Sequence, residues 1–112
     1  MSSLPLFIGS YSIPSPWTGT PNAHGDGIVC AEFDSETGEI RIAHRLGETN
    51  PSFLVRDAVS GRFWAITEPE TGGEFIAFAA APDGVLKPSG RLVTGFDAPC
   101  HLTIDTANEL AF

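Results

Sequence analysis

The feature that most constrains this chain is a segment that occurs twice. Residues 50–54 read Asn-Pro-Ser-Phe-Leu, and residues 98–102, 48 positions later, read Ala-Pro-Cys-His-Leu. The sequence before each copy also matches, at a spacing of 46 residues, in the pairs Gly27/Gly73, Ala31/Ala77, Gly38/Gly84, Ile40/Leu86, Arg45/Arg91 and Leu46/Leu92. A period of roughly 20 to 50 residues is typical of repeat architectures. The chain is therefore predicted to consist of repeated structural units.

Each repeat is predicted to contain short β-strands. Residues 39–43 alternate polar and apolar side chains, which is the pattern of a half-buried strand. Further strands are predicted at residues 6–11, 28–33, 52–56, 62–67, 74–79 and 85–87, with turns at 34–38, 59–61 and 81–84. Twelve Gly and nine Pro interrupt the chain too often for long helices. The predicted fold class is therefore all-β.

Four short antiparallel strands in a period of about 40 to 50 residues are typical of one blade of a β-propeller. The sequence predicts a β-propeller fragment of about two four-stranded blades, within one domain at residues 1–112. The predicted units are residues 1–49 and 50–97, and a third begins at 98. A propeller ring needs about four to eight blades, so we expect an N-terminal part of a longer protein whose partners are the remaining blades. The alternative is a ring completed by several copies of the chain.

Charge and composition exclude two classes of partner. The chain has 14 acidic and 6 basic side chains, a formal net charge of −8, so neither nucleic acid nor an anionic membrane surface is expected to bind. No signal peptide or membrane-spanning apolar run is recognisable. The two cysteines, Cys30 and Cys100, are too few for a disulfide framework. We therefore expect a cytoplasmic protein with reduced thiols.

Several segments resemble the lactonase family of seven-bladed β-propellers, whose best-known activity is 6-phosphogluconolactonase. Phe-Ile-Gly-Ser-Tyr-Ser at residues 7–12 is similar to the family's opening strand, and Phe-Asp-Ser-Glu-Thr-Gly at 33–38 is similar to its recurrent acidic turn. The repeated segments at 50–54 and 98–105 are similar to family signatures. Where the family often has Asn-Glu, this chain has Thr67-Glu68, so only the Glu is retained.

The resemblance implies an enzyme of carbohydrate metabolism that hydrolyses a small-molecule sugar lactone. It also implies that the principal catalytic residues come largely from later blades, so the 112-residue chain alone is expected to be inactive. Two alternatives stay open: a muconate-type lactonising cycloisomerase, which closes rather than opens a ring, and a non-enzymatic propeller that serves as a binding scaffold.

His101 is the predicted catalytic residue. Its segment precedes the innermost strand of a blade, so its side chain is expected at the mouth of the central channel. A histidine that titrates near neutral pH can act as the base and the acid of lactone hydrolysis. The alternative is a histidine that bonds to blade backbone where the strand begins. The corresponding residue of the first copy is Phe53, so this position does not itself require an imidazole.

Three further polar residues are predicted to bind substrate. Glu68 follows the second strand of its unit and is expected at the same rim, where a carboxylate can bind sugar hydroxyls; the alternative is a solvated loop acid. Asn50 and Ser52 belong to the first copy of the repeated segment, and their alternative role is to cap its turn.

No motif for a metal or a cofactor is recognisable. His24 and Asp26 lie close together but lack further ligands at a suitable spacing. Cys100 is expected to be a packed core residue rather than a nucleophile, because neighbours on an extended chain point to opposite sides. Binding of a phosphorylated lactone would require Arg or Lys at the channel. The basic residues here are predicted on strands or turns away from it.

Overall fold

The computed structural model describes residues 3–15, 19–57, 59–81 and 85–112. Its strands are β1 (Ser3–Gly9), β2 (Ile28–Asp34), β3 (Ile40–Leu46), β4 (Pro51–Arg56), β5 (Phe63–Thr67), β6 (Glu74–Ala80), β7 (Leu86–Val93), β8 (Ile104–Asp105) and β9 (Leu110–Ala111). None of the described residues is helical, which confirms the all-β prediction. Accordingly, no helix capable of crossing a membrane is found in the part of the chain that the structure describes.

The strands form three antiparallel sheets, in the orders β1-β2-β3, β4-β5-β6-β7 and β8-β9. The second sheet has the four strands predicted for a blade. The first sheet has three strands among the described residues, and β8–β9 is a separate two-stranded sheet. Each strand follows its neighbour in the chain, so the topology is the simple up-and-down meander that a blade requires.

The hydrogen-bond register shows which strands of the first two sheets correspond. Phe7 pairs with Cys30 in the first sheet, and Trp64, 57 positions after Phe7, pairs with Ala77 in the second, one residue beyond the position that the 46-residue spacing gives. Both sheets also contain one register shift between their last two strands. Strands β1, β2 and β3 therefore correspond to β5, β6 and β7. No described strand of the first sheet corresponds to β4.

Turn chemistry explains where the strands reverse. Between β2 and β3, the Asp34 carboxylate accepts hydrogen bonds from the backbone N–H groups of Glu36 and Thr37, at 2.8 and 3.2 Å. Gly38 closes this turn with a φ of 78°, a conformation that favours glycine. The predicted turn at 34–38 is thus confirmed. In the predicted turn at 81–84, residues 82–84 lie outside the described residues, as do residues 16–18 of the long loop after β1.

The main core lies between the first and second sheets. Its buried members are Ile28, Cys30, Phe63, Ala65, Ile76, Phe78 and Leu86, and the partly buried Phe7, Leu46 and Leu54 pack against them. The Phe7 and Phe63 rings have centroids 4.8 Å apart and tie β1 to β5. Leu54, Ile76 and Phe78 therefore lie between the first and second sheets. Ile66 is also buried, but strand alternation places it on the opposite face from Ala65.

Polar contacts join the same two sheets near their outer strands. The His44 imidazole on β3 accepts a hydrogen bond from the backbone N–H of Leu86, at 3.3 Å between Nε2 and N. His44 is half-buried because β7 packs against it. Arg91 donates to both carboxylate oxygens of Glu48, at 3.0 and 2.5 Å. These contacts fix the orientation of the second sheet on the first.

Candidate functional site

The predicted site residues lie at one end of the sheets. Strands β1 and β5 end there, at Gly9 and Thr67, while β4 and β8 begin there, at Pro51 and Ile104. Successive antiparallel strands necessarily return to the same end at every second turn. We call this end the rim. It brings residues from four separate segments together: the turn after β1, the repeated segment before β4, the turn after β5 and the repeated segment before β8.

Asn50 is the most buried polar residue of the rim, with no exposed surface. Its Oδ1 accepts hydrogen bonds from the backbone N–H groups of Ser12 and Ile13, at 2.8 and 2.9 Å. Its Nδ2 donates to the carbonyl oxygen of Glu68 at 3.3 Å. A φ of 45° places its backbone in the left-handed region, which asparagine tolerates better than most residues. The side chain therefore joins three turns of the rim.

Glu68 and Tyr11 form a side-chain pair at the rim. The Tyr11 hydroxyl donates to Oε2 of Glu68 at 3.0 Å, and both residues are half-buried. Burial raises the pKa of the Tyr11 phenol, and the hydrogen bond and negative charge of Glu68 raise it further, with a smaller contribution from Cys100. The phenol thus remains a donor at neutral pH, and the carboxylate is its acceptor.

His101 is exposed and packs against Phe53. The two rings have centroids 4.5 Å apart and are tilted by 50°. These residues occupy the same position in consecutive copies of the repeat, so the structure places the equivalent side chains of neighbouring units in direct contact. An exposed imidazole supported on one side by an aromatic ring is accessible to a ligand or to water.

The other members of the two segments differ in burial. The Ser52 hydroxyl oxygen is buried and has no hydrogen-bond partner among the described residues. Cys100, the residue that corresponds to Ser52 in the second copy, is exposed. The prediction of a packed core Cys100 is therefore wrong, because the second copy has less of the structure packed over it than the first. Cys30, by contrast, belongs to the core.

The structure thus brings together some predicted residues more closely than others. Glu68 and Asn50 are hydrogen-bonded to one another, and His101 reaches the same segment through Phe53. Among the described residues, no hydrogen bond joins His101 to Glu68. Tyr11 is a site residue that the sequence prediction missed. Its signal was present, since Tyr11 is the residue that corresponds to Glu68 in the first unit, 57 positions earlier.

Several cations are already engaged elsewhere. Arg41 pairs with Glu32, Arg45 with Asp26 and Arg91 with Glu48. Within the described ranges, no three His, Cys, Asp or Glu side chains are grouped closely enough to hold a metal ion. The rim therefore offers an imidazole, a carboxylate and a phenol. These groups can accept hydrogen bonds from sugar hydroxyls and can transfer protons.

Known proteins are similar to this chain in fold. No curated protein matches the chain. A candidate 6-phosphogluconolactonase from Bacteroides fragilis NCTC 9343 is similar in structure, with a TM-score of 0.75 and 25% identity over 93% of this chain and 27% of that one. A candidate 6-phosphogluconolactonase from Bacteroides uniformis ATCC 8492 has a TM-score of 0.76 and 22% identity over 94% of this chain and 29% of its own.

The chain therefore spans somewhat more than a quarter of the length of these two solved structures. The family model described as lactonase, 7-bladed β-propeller, matches residues 5–112, which is nearly the whole chain. The repeated segments, the antiparallel four-stranded sheet and this match lead to one conclusion. The chain belongs to the lactonase family of seven-bladed β-propellers.

Proposed function

We propose that the chain is the N-terminal part of a propeller that hydrolyses a sugar lactone, as a 6-phosphogluconolactonase does. The observation that carries the proposal is the rim, where an exposed His101 and a half-buried Glu68 lie at the same end of neighbouring units. Membership of the lactonase family and the similarity to a candidate 6-phosphogluconolactonase support it.

In the proposed reaction, water adds to the ester carbonyl of the lactone and the ring oxygen leaves as a hydroxyl. His101 is proposed to take a proton from water or to return one to the leaving oxygen, since an imidazole can do either near neutral pH. Glu68 is proposed to accept hydrogen bonds from the hydroxyls of the substrate. Asn50 and Ser52 are proposed to support the binding surface from beneath, because Asn50 holds the turns in place and the Ser52 hydroxyl is buried.

The remaining catalytic groups, including any cations that bind a phosphate, are proposed to come from other blades. Support comes from the engagement of Arg41, Arg45 and Arg91 in ion pairs of this chain. The blade units remain as proposed, residues 1–49 and 50–97 with a third from 98. A cytoplasmic location also remains part of the proposal, which the two free cysteines Cys30 and Cys100 support.

The test is an assay of the protein expressed from its complete gene. It is expected to open 6-phosphogluconolactone or gluconolactone faster than water alone, and His101→Ala is expected to lower the rate by about a hundredfold or more. The 112-residue chain is expected to show no acceleration. An unchanged rate in His101→Ala would remove His101 from the mechanism. Formation of a lactone from a muconate would instead identify a cycloisomerase.

A further inference from the structure

Among the residues that the structure describes, Tyr11 is the hydrogen-bond partner of the Glu68 carboxylate. The Tyr11 hydroxyl donates to Oε2 at 3.0 Å, although the two residues are 57 positions apart and follow strands of different sheets. No hydrogen bond reaches the other carboxylate oxygen, Oε1, from any described residue. One oxygen of Glu68 is therefore held by the protein, and the other is available to accept a hydrogen bond from a ligand.

The backbone of Glu68 is held independently of its side chain. Its N–H donates to the carbonyl oxygen of Asn50 at 2.8 Å, and its carbonyl accepts from the Asn50 amide at 3.3 Å. With the backbone fixed by one turn and the carboxylate by another, Glu68 has little conformational freedom left to lose. A group that is ordered before the ligand arrives binds it more tightly, because no entropy is lost in ordering that group when the complex forms.

The chemistry of the pair suits this role. A phenol that donates to a carboxylate makes a charge-assisted hydrogen bond, which is stronger than one between neutral groups. Burial and Glu68 together raise the pKa of the Tyr11 phenol, so the donor keeps its proton throughout the neutral range. Glu68 is the residue that corresponds to Tyr11 in the next unit. The repeat therefore places the donor and its acceptor at equivalent positions of adjacent units.

We propose that Tyr11 is a positioning residue, which orients Glu68 so that Oε1 accepts a hydrogen bond from a hydroxyl of the bound lactone. This inference rests on the proposed lactone hydrolysis. It adds a specific role for the turn after β1, through which the first blade determines the affinity of a site in the second.

The experiment compares Tyr11→Phe, Glu68→Gln and the double variant in the protein expressed from its complete gene. Tyr11→Phe keeps the ring and removes only the hydroxyl, so KM for the lactone is expected to rise about tenfold with kcat unchanged. Glu68→Gln is expected to raise KM at least as much. The double variant is expected to be no worse than Glu68→Gln alone, because residues that act through one another are not additive. The matched control is Glu70→Gln, an exposed acid two residues away, which is expected to leave KM unchanged.

The outcomes separate the inference from the proposed function. If the unchanged protein opens no lactone, the proposed function fails and the role of Tyr11 toward a lactone fails with it. If the protein is active but Tyr11→Phe keeps its KM, or if the two substitutions are additive, only the positioning role is overturned. A purely structural Tyr11 would instead lower the thermal midpoint while KM stays constant.

Discussion

At the scale of single residues, Tyr11 is informative because it is the only tyrosine of the chain. The ultraviolet absorbance of its phenolate therefore reports on one group. Its pKa is raised above 10.0, first by burial and then by Glu68. The folded state thus holds the phenolic proton more tightly than the unfolded state does.

We expect an absorbance titration of the chain to show a phenol pKa above the ordinary value. In Glu68→Gln the pKa should fall but stay raised, because burial is the larger cause, whereas Glu70→Gln should leave it unchanged. The stability that Tyr11 contributes is expected to be fully present below pH 10.0 and to be lost as the pH rises through the folded-state pKa. An ordinary pKa in the unmodified chain would contradict the buried pair.

Asn50 and Ala98 show how one backbone requirement is met in two ways. Both occupy the left-handed region, with φ values of 45° and 46°. Asn50 uses its Oδ1 to accept from the N–H of Ser12, whereas the residue that corresponds to Ser12 in the next unit is Pro69, which has no N–H. The acceptor and one of its donors are thus absent together in the second copy. Because the side-chain acceptor and this backbone donor are both missing there, neither is left without its hydrogen-bond partner.

Replacing Asn50 by Ala is expected to destabilise the fold by about 2 to 4 kcal/mol, because the N–H groups of Ser12 and Ile13 lose their acceptor and the fully buried side chain leaves a cavity. Urea denaturation measures this change. Asn22→Ala, at an exposed loop position, is the matched control and should change the free energy of unfolding by no more than about 0.5 kcal/mol. A raised KM with undiminished stability would instead assign Asn50 directly to substrate binding.

Ala98→Gly is expected to stabilise the chain by about 0.5 to 1 kcal/mol, because glycine adopts a positive φ without the steric cost that a Cβ imposes. The same substitution at Ala79, within β6, is expected to destabilise by a similar amount, since a strand gains nothing from that freedom. Thermal denaturation of the two variants gives the comparison. Destabilisation at both positions would show that the left-handed conformation of Ala98 is not strained.

At the scale of elements, close approach between strands determines how neighbouring sheets meet at the rim. Gly9 ends β1, and a Cβ added there would collide with the carbonyl oxygen of Pro51, the first residue of β4. Gly73, before β6, is in the same situation against the ring of Pro99. The proline of each repeated segment therefore lies against a glycine that precedes or ends a strand. The short distance between each proline and its glycine follows from how the segments pack in three dimensions.

Gly9→Ala is expected to lower the free energy of unfolding by about 1 to 3 kcal/mol, because β1 and β4 must separate to admit the methyl group. Gly47→Ala is the control, since a Cβ there would meet nothing within 4 Å. Denaturant midpoints of the two variants measure the difference. Equal midpoints would show that the approach of β1 to β4 is looser than the structure indicates.

The individual strands were largely predictable, because they are short apolar or alternating segments bounded by turn residues. The prediction missed the length of β7, which continues to Val93 through Pro88 and Gly90, two residues that usually interrupt strands. Pairing along β6 outweighs this local preference, and the register shift between Ala77 and Phe78 accommodates it. Tertiary pairing therefore decided the extent of this strand.

At the scale of the whole molecule, the two faces of the first sheet differ. One face packs against the second sheet. The other presents Leu4, Ile8, Ile40 and Ile42, each between 43 and 58% exposed. Their counterparts in the second sheet include Ala65 and Leu86, which are 0 and 2% exposed because the first sheet covers them. The repeat thus predicts that this outer face also packs against a blade.

The isolated chain is expected to self-associate through this outer face, because contiguous exposed apolar surface drives association. Ile42→Glu should lower the average mass measured by light scattering at high protein concentration. Thr71→Glu adds the same charge at an exposed bend away from this face and should leave the mass unchanged. A chain that is monomeric at every concentration would contradict this expectation.

The sequence alone determined the repeat, the all-β class, the approximate strands and the segments that carry the site. These features depend on local periodicity, turn residues and internal similarity, all of which can be read from the linear sequence. Only the tertiary structure decided that Tyr11 holds Glu68, that Asn50 is buried among three turns and that His101 lies on Phe53. Each of these contacts joins residues between 18 and 57 positions apart or residues of two successive copies. Such contacts follow from the packing of one sheet on another, which no local pattern specifies.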